Sequence, residues 1–393
     1  MKRIAIVGGA GHVGLPLGIV LADQGFHVTA YDISSIAVQK INNGVFPFME
    51  EGGERLLRKV LKENSFTATT ERDSLKEAEV AIIVIGTPVD EHLGPNPNSV
   101  VSEVMSLVSI LENTRLLILR STIFPGVSEK LVSQLKLVRP DLEIAYCPER
   151  IVEGQAIKEI RNLPQIIGCD SEIAFKQANE IFEQLGIRTI RSTFAEAELA
   201  KLFTNVWRYM KFATANQFWM MANSFGVDYE KVREAITFEY PRAADLPKAG
   251  FAAGPCLFKD TMQLSALVQQ NFPLGHSAMM INEGTPGYLV DRMKHKYDLK
   301  NLTVGILGMA FKADVDDTRS SLAYKLRKLL IFECAEVLCS DPFVKDERLV
   351  SQEEVLKRSD LLVIGSPHTV YKNIVFSKPV IDIWALLDKG VLI

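Results

Sequence analysis

The sequence has few cysteines, no excess of basic residues and no long apolar run. Its five cysteines are odd in number and scattered through 393 residues, and none forms a Cys-x-x-Cys pair. This pattern argues against a disulfide framework and against a zinc site, and a reducing cytoplasm is the expected location. The formal net charge of −4 provides no electrostatic footprint for nucleic acid. We therefore expect no metal site and no nucleic-acid partner.

Neither a membrane span nor a signal peptide is evident. No apolar run reaches the length that crosses a bilayer, and the first residues predict a short strand that leads into a glycine turn. Hydrophobic residues make up 47% and charged residues 23% of the chain, as is typical of a globular protein. A chain of 393 residues is too long for one ordinary domain. We expect two or three domains and no membrane partner.

A dinucleotide-binding fingerprint lies at the start of the chain. The apolar run 3–8 is followed by Gly9-Ala10-Gly11-His12-Val13-Gly14, then by a helical stretch over 15–24 and a second strand over 27–31 that ends in Asp32. In this context the glycines let the backbone approach a pyrophosphate at the helix N-terminus, and the acid accepts a hydrogen bond from a ribose 2′-hydroxyl. Because Asp32 would repel a 2′-phosphate, the pattern predicts NAD rather than NADP.

Further strand-like runs alternate with helical stretches. These runs lie at 80–85, 116–119, 143–146 and 165–168. The alternation predicts an α/β fold with a parallel, doubly wound sheet. Polar residues follow three of the runs, at Gly86-Thr87-Pro88, Ser121-Thr122 and Cys147-Pro148-Glu149-Arg150. Ligands bind beyond the carboxyl ends of the strands in such sheets, so we expect a site there, with ordinary strand-ending turns as the alternative.

A long stretch without proline, from about 195 to 225, predicts a helix. Its apolar bulk comes from Trp207, Met210, Phe218, Trp219 and Met221. Its polar residues Glu198, Lys201, Asn205 and Arg208 are spaced three or four apart and so share one helix face. A solvated face and a polar site on a buried helix are both compatible with this stripe.

The segment around Cys256 combines glycines, a thiol, a cation and a carboxylate. Gly250 and Gly254 permit backbone conformations and close approaches that a side chain would block. Cys256 opens a predicted helix, where the positive potential of the helix N-terminus favours the thiolate. Lys259 and Asp260 lie within reach of the same turn. The residues alone leave two interpretations open, a nucleophilic thiol and a buried structural cysteine.

A second strand and glycine turn begin near residue 302. The run 302–308 is followed by strand-like runs at 337–339, 361–365 and 380–383. This repeats the pattern of the N-terminal part without a complete glycine fingerprint, so it predicts a second Rossmann-like domain that binds something other than a full dinucleotide. The predicted domains are an NAD-binding Rossmann-like domain over 1–195, a helical middle domain over 196–298 and a C-terminal Rossmann-like domain over 299–393.

Six motifs carry a resemblance that covers essentially the whole chain. They are the glycine turn with Leu15-Pro16-Leu17, Ser121-Thr122-Ile123-Phe124-Pro125-Gly126, Pro148-Glu149 with Glu153-Gly154, Lys201-Leu202-Phe203-Thr204-Asn205, Cys256-Leu257-Phe258-Lys259-Asp260, and Phe311-Lys312 with Asp317-Thr318-Arg319. In this order they resemble the nucleotide-sugar 6-dehydrogenases, the family of UDP-glucose, UDP-N-acetylhexosamine and GDP-mannose dehydrogenases. The resemblance implies that Cys256 is the nucleophile.

The resemblance also implies a fold and a reaction. The fold is two Rossmann-like domains joined by a long central helix, with a homodimer formed through the helical middle domain. The reaction is a double oxidation of the primary alcohol at sugar C6 to a carboxylate, with two NAD⁺ consumed per sugar. The Cys256 thiolate adds to the aldehyde to give a thiohemiacetal, a second hydride loss gives a thioester, and water hydrolyses the thioester.

Roles for individual residues follow from the same resemblance. Lys201 and Asn205 supply donors to the developing oxyanion, and Asp260 acts as a base or positions water with Thr122. Arg242 reaches the substrate of the neighbouring subunit. The catalytic residues are Cys256, Lys201, Asn205, Asp260, Thr122 and Glu149. The cofactor-binding residues are Gly9, Gly11, His12, Val13, Gly14, Asp32, Thr87, Thr122, Glu153, Lys259 and Arg319. The substrate-binding residues are Glu149, Arg150, Lys201, Asn205, Arg242, Gly250, Phe251, Phe311 and Lys312.

Four departures from the family pattern leave the particular sugar open. Gly8 adds a glycine beside the usual turn, and Phe258 stands where the UDP-glucose branch commonly has proline. Ala252 and Ala253 occupy a loop that is often richer in glycine, and Trp384 stands where many relatives carry an arginine that contacts substrate. Tyr240-Pro241-Arg242 is similar to the N-acetylhexosamine branch, whereas Lys259-Asp260 is similar to the UDP-glucose branch. A UDP-sugar is the expected substrate, either UDP-glucose or a UDP-N-acetylhexosamine.

Two alternatives keep a related fold. A two-electron dehydrogenase of the 6-phosphogluconate or 3-hydroxyacid type also places a Rossmann domain before a helical domain, but it needs no nucleophilic cysteine and forms one NADH per substrate. A non-catalytic nucleotide-sugar-binding protein would not require a thiol beside a carboxylate. The presence of Lys201, Asn205, Cys256 and Asp260 favours the four-electron dehydrogenase over both.

Overall fold

The computed structural model describes residues 2–87, 96–388 and 390–393. These residues form two compact units, Met1–Phe203 and Thr204–Ile393. The boundary between the units falls inside one continuous helix, α8 (Phe194–Ser224). The predicted helix from about 195 to 225 is therefore confirmed to within one residue at each end.

The first unit is built on an eight-stranded sheet. Its strands are β1 (Arg3–Val7), β2 (His27–Tyr31), β3 (Phe66–Thr69), β4 (Val80–Ile83), β5 (Leu116–Leu119), β6 (Glu143–Tyr146), β7 (Gln165–Gly168) and β8 (Thr189–Ser192). Their order is β3-β2-β1-β4-β5-β6-β7-β8, and all neighbours are parallel except β6 and β7. The order reverses at β1, which confirms a doubly wound sheet with a switch point between the carboxyl ends of β1 and β4.

Helices connect these strands and cover the core. They are α1 (Gly14–Asp23), α2 (Ser35–Asn42), α3 (Gly53–Lys62), α4 (Pro97–Leu107), α5 (Val127–Val138), α6 (Ala156–Asn162) and α7 (Glu172–Gln184), with a short 3₁₀ helix at Arg72–Leu75. Every residue of β4 and β5 is buried, as expected for central parallel strands that are covered on both faces. Ser34 and Ser171 begin α2 and α7 by accepting backbone hydrogen bonds from the first turn.

The second unit contains a smaller parallel sheet. Its strands are β9 (Thr303–Leu307), β10 (Glu336–Ser340), β11 (Leu361–Ile364) and β12 (Val380–Ile381), in the order β10-β9-β11-β12. The helices of this unit after α8 are α9 (Tyr229–Thr237), α10 (Leu257–Leu267), α11 (Pro273–Lys296), α12 (Leu322–Ile331) and α13 (Gln352–Arg358), with 3₁₀ helices at Leu299–Asn301 and Thr369–Asn373. The sheet confirms the second Rossmann-like domain. No helix in the described part of the chain has the length and apolarity to cross a membrane.

The additional glycine of the N-terminal turn has a structural reason. Gly8 follows β1 with φ +84°, and a Cβ at this position would lie 2.1 Å from the carbonyl oxygen of Val84 at the end of β4. Gly308 follows β9 in the same way, with φ +92° and a Cβ position 2.5 Å from the carbonyl oxygen of Ser366. Both sheets therefore require a residue without a side chain where the chain leaves the first strand at the switch point.

Candidate active site

The glycine turn after β1 leaves open space beside its backbone. A Cβ on Gly9 would lie 2.6 Å from that of Ala30, and a Cβ on Gly14 would lie 2.3 Å from the carbonyl oxygen of Gly8, so packing excludes a side chain at both positions. A Cβ on Gly11 would meet nothing closer than 3.7 Å. The absence of a side chain at Gly11 is therefore not a packing requirement, and it leaves room for a ligand to approach the backbone where α1 begins. This arrangement fits a dinucleotide pyrophosphate.

Asp32 is held rigidly at the end of β2. Its Oδ2 accepts from the backbone N–H of Ala10 and its Oδ1 accepts from that of Ser34, both at 3.0 Å. Each carboxylate oxygen retains acceptor capacity for a ribose hydroxyl. In the same turn the ring of His12 stacks on that of Phe48 with the centroids 3.9 Å apart. The predicted cofactor residues of β1 and β2 thus lie together and fit a nucleotide that carries a free 2′-hydroxyl.

The ends of β4 and β5 are joined by side-chain hydrogen bonds. Thr87 Oγ1 donates to the carbonyl oxygen of Thr122 at 2.6 Å. Ser121 Oγ donates to the carbonyl oxygen of Ile85 at 2.8 Å and accepts from its N–H at 2.9 Å. The structure therefore brings two of the predicted cofactor residues, Thr87 and Thr122, together at the edge of the sheet. Pro88, which follows Thr87 in the same predicted strand-end motif, lies outside the described residues.

Glu149 belongs to a buried network after β6. One of its oxygens accepts from the guanidinium of Arg120, which is 3% exposed. The other oxygen accepts from the backbone N–H groups of Arg150 and Ile151 at 2.7 and 2.9 Å. Arg120 also donates to Gln165 Oε1 at 2.8 Å. The carboxylate of Glu149 is therefore fixed in place, and its charge is compensated by Arg120, a cation outside the predicted motifs.

Two more predicted residues follow Glu149. The guanidinium of Arg150 donates to the carbonyl oxygen of Pro164, and burial lowers the pKa of this arginine. Glu153 is half-buried in the turn before α6. The carbonyl oxygen of Gly154 accepts from the N–H of Glu51 at 3.1 Å, which fixes the end of this segment.

Three of the four residues on the polar face of α8 are buried rather than solvated, and the fourth, Arg208, is half-buried. Glu198, Lys201 and Asn205 are each 7% exposed or less. Glu198 accepts from the backbone N–H groups of Gly126 at 2.7 Å and Ser128 at 2.9 Å, and so caps the first turn of α5. The solvated-face interpretation is therefore wrong for these residues, and Glu198 stabilises a helix terminus, whereas Lys201 and Asn205 remain as candidates for chemistry.

The cysteine segment forms the start of α10, as predicted. Cys256 immediately precedes the helix and is exposed, so the interpretation as a buried structural cysteine is wrong. Asp260 is fully buried one turn later, and its Oδ2 accepts from Asn205 Nδ2 at 2.6 Å. Within the described residues its Oδ1 accepts no hydrogen bond, although Lys259 Nζ lies 3.7 Å away. A thiol, a carboxylate with one available oxygen and an amide donor therefore surround one helix terminus.

The remaining thiols are poor nucleophiles by comparison. Burial raises the pKa of Cys147 and Cys169, and it raises that of Cys334 and Cys339 to about 11. A raised pKa leaves little thiolate at neutral pH, and the thiolate is the reactive form. Among the five cysteines, Cys256 is the candidate for covalent chemistry.

Two aromatic rings pack against the glycines of the cysteine loop. A Cβ on Gly250 would lie 2.3 Å from the ring of Trp384, and one on Gly254 would lie 2.7 Å from the ring of Phe311. Phe251 is buried and meets Trp384 edge to face, with the centroids 5.9 Å apart. Trp384 Nε1 donates to a backbone carbonyl at 3.1 Å. This residue therefore packs against the loop and offers no cation to a ligand.

The C-terminal motif forms a short folded segment after β9. The N–H of Phe311 donates to the carbonyl oxygen of Asp317 at 2.9 Å, and Arg319 Nε donates to the carboxylate of Asp317 at 2.8 Å. Lys312 is half-buried beside Phe311. Close by in the loop before Cys256, Gly254 lines an open cavity of about 730 Å³ that extends to the start of α12.

Arg242 lies on an exposed segment between α9 and α10. Its Nε donates to Tyr240 Oη at 2.9 Å, and its guanidinium lies 4.8 Å from the centroid of the same ring. This arrangement holds the cation at the surface of the second unit.

Comparison with known proteins gives a consistent family. Models of the UDP-glucose/GDP-mannose dehydrogenase family match the NAD binding domain over residues 2–186, the central domain over 195–284 and the UDP binding domain over 305–389. A UDP-N-acetyl-D-mannosamine dehydrogenase from Pyrococcus horikoshii is 32% identical over 386 residues, which covers 95% of this chain and 91% of that protein. An NDP-N-acetyl-D-galactosaminuronic acid dehydrogenase from Ralstonia nicotianae is 27% identical over 395 residues, which covers 95% and 92%.

The fold comparison agrees with the sequence comparison. The solved structure of a UDP-D-ManNAc dehydrogenase from Pyrococcus horikoshii superposes with a TM-score of 0.87 at 30% identity. The superposition covers 95% of this chain and 91% of that chain. The similarity therefore extends over both units and over most of the length of the relative.

Proposed function

The chain belongs to the UDP-glucose/GDP-mannose dehydrogenase family, and we propose that it oxidises the C6 alcohol of a UDP-N-acetylhexosamine to the carboxylate in two successive steps. It is an NAD-dependent oxidoreductase of nucleotide sugars. The choice of an N-acetylhexosamine is supported by the similar UDP-N-acetyl-D-mannosamine dehydrogenase, which covers nearly the whole chain.

The observation that carries the four-electron reaction is the geometry around Cys256. The thiol is exposed at the N-terminal end of α10, and the buried carboxylate of Asp260 lies in the first turn of the same helix. Oxidation of an alcohol to an aldehyde requires no nucleophile. A covalent intermediate divides the oxidation of the aldehyde to an acid into easier steps, and its formation requires a nucleophile.

Side chains of this protein supply the groups for each reaction step that takes place at the sulfur of Cys256. Cys256 Sγ attacks the C6 aldehyde, its proton passes to the carbonyl oxygen, and a thiohemiacetal results. Asn205, and Lys201 one turn earlier on the same helix face, supply donors to the oxygen that gains charge. The glycine turn and Asp32 would hold NAD⁺, which would supply the hydride acceptor for each oxidation.

Asp260 is the base proposed for the last step. Hydrolysis of the thioester requires a water that loses a proton as it attacks, and it releases the thiol and the carboxylic acid. The carboxylate is held by Asn205 through Oδ2, and its Oδ1 accepts no hydrogen bond in the described residues. One oxygen is thus kept in place while the other has capacity to accept the proton from water.

We also propose roles for the three predicted domains and for the remaining site residues. Residues 1–195 would bind the cofactor, 196–298 would carry the cysteine loop and the dimer contacts, and 299–393 would bind the nucleotide of the substrate. Thr122 and Glu149 complete the catalytic set. The further cofactor residues are Gly9, His12, Val13, Gly14, Thr87, Glu153, Lys259 and Arg319, and the further substrate residues are Arg150, Arg242, Gly250, Phe251, Phe311 and Lys312.

We also propose that the protein is a homodimer. Trp207, Phe218 and Met221 of α8, and Phe225, which directly follows the helix, are 42–85% exposed, and their spacing places them on one side. This face is opposite the one that carries Asn205. A second copy of the chain would bury this apolar stripe and would bring Arg242 to the neighbouring substrate. Sedimentation at micromolar concentration tests the proposal, and a fully active monomer would contradict it.

We also propose that the protein is located in the cytoplasm, because its scattered cysteines without a Cys-x-x-Cys pair are typical of a reducing compartment.

The substrate proposal is tested with a panel of nucleotide sugars. The purified protein is incubated with UDP-N-acetylmannosamine, UDP-N-acetylgalactosamine, UDP-glucose and GDP-mannose, and NADH formation is followed together with the mass of the product. We expect a UDP-N-acetylhexosamine to give the highest kcat/KM and an acid as product. A higher kcat/KM with UDP-glucose or GDP-mannose would refute the assigned sugar, and an aldehyde or ketone as the final product would refute the four-electron reaction.

A further inference from the structure

We infer that Asn216 is a positioning residue that holds the loop before Cys256 in place. This residue lies in the middle of α8, is fully buried and carries no role in the motifs or the mechanism given above. The effect proposed for turnover rests on the proposed function, whereas the effect on the loop itself does not.

The side chain of Asn216 forms a paired contact with one backbone unit of the loop. Its Oδ1 accepts from the N–H of Gly250 at 2.9 Å, and its Nδ2 donates to the carbonyl oxygen of the same residue at 2.9 Å. The orientation of the amide is fixed, because the N–H of Gly250 requires an acceptor and the carbonyl requires a donor. Both polar groups of a buried loop residue are therefore satisfied by one side chain.

A second buried asparagine orients the first. Asn282 of α11 accepts from Asn216 Nδ2 at 3.0 Å through its Oδ1 and donates to the carbonyl oxygen of Tyr209 at 3.0 Å through its Nδ2. Asn282 is also fully buried. The two amides thus form a ladder that connects α11, α8 and the loop, and every bond in it is made away from water, where an unmade bond is costly.

The same helix face holds the other end of the cysteine loop. Asn205 and Asn216 lie about three turns apart on α8 and so point to the same side. Asn205 donates to Asp260, after Cys256 in sequence, and Asn216 binds Gly250, before it. Both ends of the segment that carries the thiol are therefore fixed to one rigid helix.

Packing against Trp384 makes this contact more important. Gly250 has φ +154°, and a Cβ there would lie 2.3 Å from the ring of Trp384. The ring therefore covers one side of the loop, while the hydrogen bonds to Asn216 fix its distance from α8. Among the described residues, these two bonds to Asn216 are the only side-chain hydrogen bonds that Gly250 makes. A displacement of about 1 Å at a reacting group is sufficient to lower a rate by about a hundredfold.

The experiment compares Asn216→Ala with Asn223→Ala in the full-length protein. Asn223 is a matched control, because it is also a buried asparagine on α8, but it donates to Trp219 and accepts from the N–H of Ile393 instead of from the loop. Amide hydrogen exchange of the peptide 249–256 measures the loop directly, and steady-state kinetics with the best nucleotide sugar measure turnover.

We expect Asn216→Ala to accelerate exchange in peptide 249–256 by about tenfold, the factor for one buried hydrogen bond, and to lower kcat more than it changes KM. Asn223→Ala should change neither, although both variants lose thermal stability. Unchanged exchange at 249–256, or equal loss of kcat in the two variants, would overturn the inference. If Asn216→Ala does not fold, Asn282→Ala tests the same ladder and should accelerate the same exchange by a smaller factor. If the wild type does not oxidise nucleotide sugars, the proposed function fails, while the exchange measurement still decides the role of Asn216.

Discussion

Replacing Arg120 by methionine is expected to destabilise the first unit strongly. Arg120 is 3% exposed and donates to Glu149, to Gln165 and to the carbonyl oxygen of Cys147. Its guanidinium also lies 5.7 Å from the ring centroid of Phe182. Methionine would fill part of the same space without charge, so Glu149 would remain as a buried carboxylate with no cation beside it.

The magnitude follows from this burial. Removing one partner of a buried ion pair costs about 3–5 kcal/mol, because the remaining charge is left uncompensated. Glu149→Gln keeps an acceptor for the N–H groups of Arg150 and Ile151 but removes the negative charge. In the double variant both charges are absent, so its cost should be smaller than the sum of the single costs by at least about 2 kcal/mol.

Urea unfolding can be assigned to each unit. All three tryptophans, Trp207, Trp219 and Trp384, lie in the second unit, so tryptophan fluorescence follows that unit while far-UV circular dichroism follows both. We expect Arg120→Met to lower the urea concentration at the midpoint of the circular dichroism transition. The midpoint of the fluorescence transition should change less. Additive effects of the two single substitutions would refute the argument that Arg120 compensates Glu149. Retained kcat in Glu149→Gln would show that Glu149 has a structural role and no catalytic one.

Three further predictions concern the cofactor, the subunit contact and the C-terminal sheet. Asp32 should make kcat/KM for NAD⁺ far higher than for NADP⁺, because a carboxylate repels a 2′-phosphate; equal values would show that Asp32 does not face the ribose. Arg242→Ala should raise KM for the nucleotide sugar and leave the affinity for NAD⁺ unchanged, and the opposite pattern would contradict its assignment. Although burial opposes it, hydrogen bonds from His368 and from backbone N–H groups lower the pKa of Asp341 from 3.8 to about 2. Asp341→Asn should therefore remove about 2 kcal/mol of stability at neutral pH. This contribution is present above pH 3.8 and is lost as the pH falls toward 2, so a difference between variant and wild type that stays constant down to pH 2 would contradict it.

The central strands were predicted from sequence because their signal is local. The runs 116–119, 143–146 and 165–168 coincide with β5, β6 and β7, since a strand buried on both faces is a continuous apolar run. The run 80–85 was predicted two residues too long. Its last two residues are apolar but lie beyond the end of β4, where the carbonyl oxygen of Val84 packs against Gly8 and Ile85 bonds to Ser121.

The edge strands were missed for the opposite reason. β3 and β8 lie at the two edges of the first sheet, and β8 has no fully buried residue. A strand that is covered on one side only needs no apolar run, so its sequence resembles that of a loop.

Part of the candidate site could also be predicted from local sequence patterns. Spacing on one helix placed Lys201 and Asn205 on a common face, and a local motif singled out Cys256. The contact between Asn216 and Gly250 joins residues far apart in sequence, and no local pattern reports it. One feature of the sequence could still have singled out Asn216, because its spacing places it about three turns from Asn205 on the same face of α8. Arg120 was missed because it directly follows an apolar strand, and its buried partner is visible only in the fold.

The number of NADH molecules formed per sugar tests the central claim most directly. The wild type should form about two, as oxidation of an alcohol to an acid through a covalent intermediate requires. Cys256→Ala should form the acid at a small fraction of that rate, whereas Cys334→Ala, which removes a half-buried thiol elsewhere, should behave as the wild type. Acid formation by Cys256→Ala at close to the wild-type rate would show that Cys256 is not the nucleophile, and one NADH per sugar from the wild type would show that the reaction stops after two electrons.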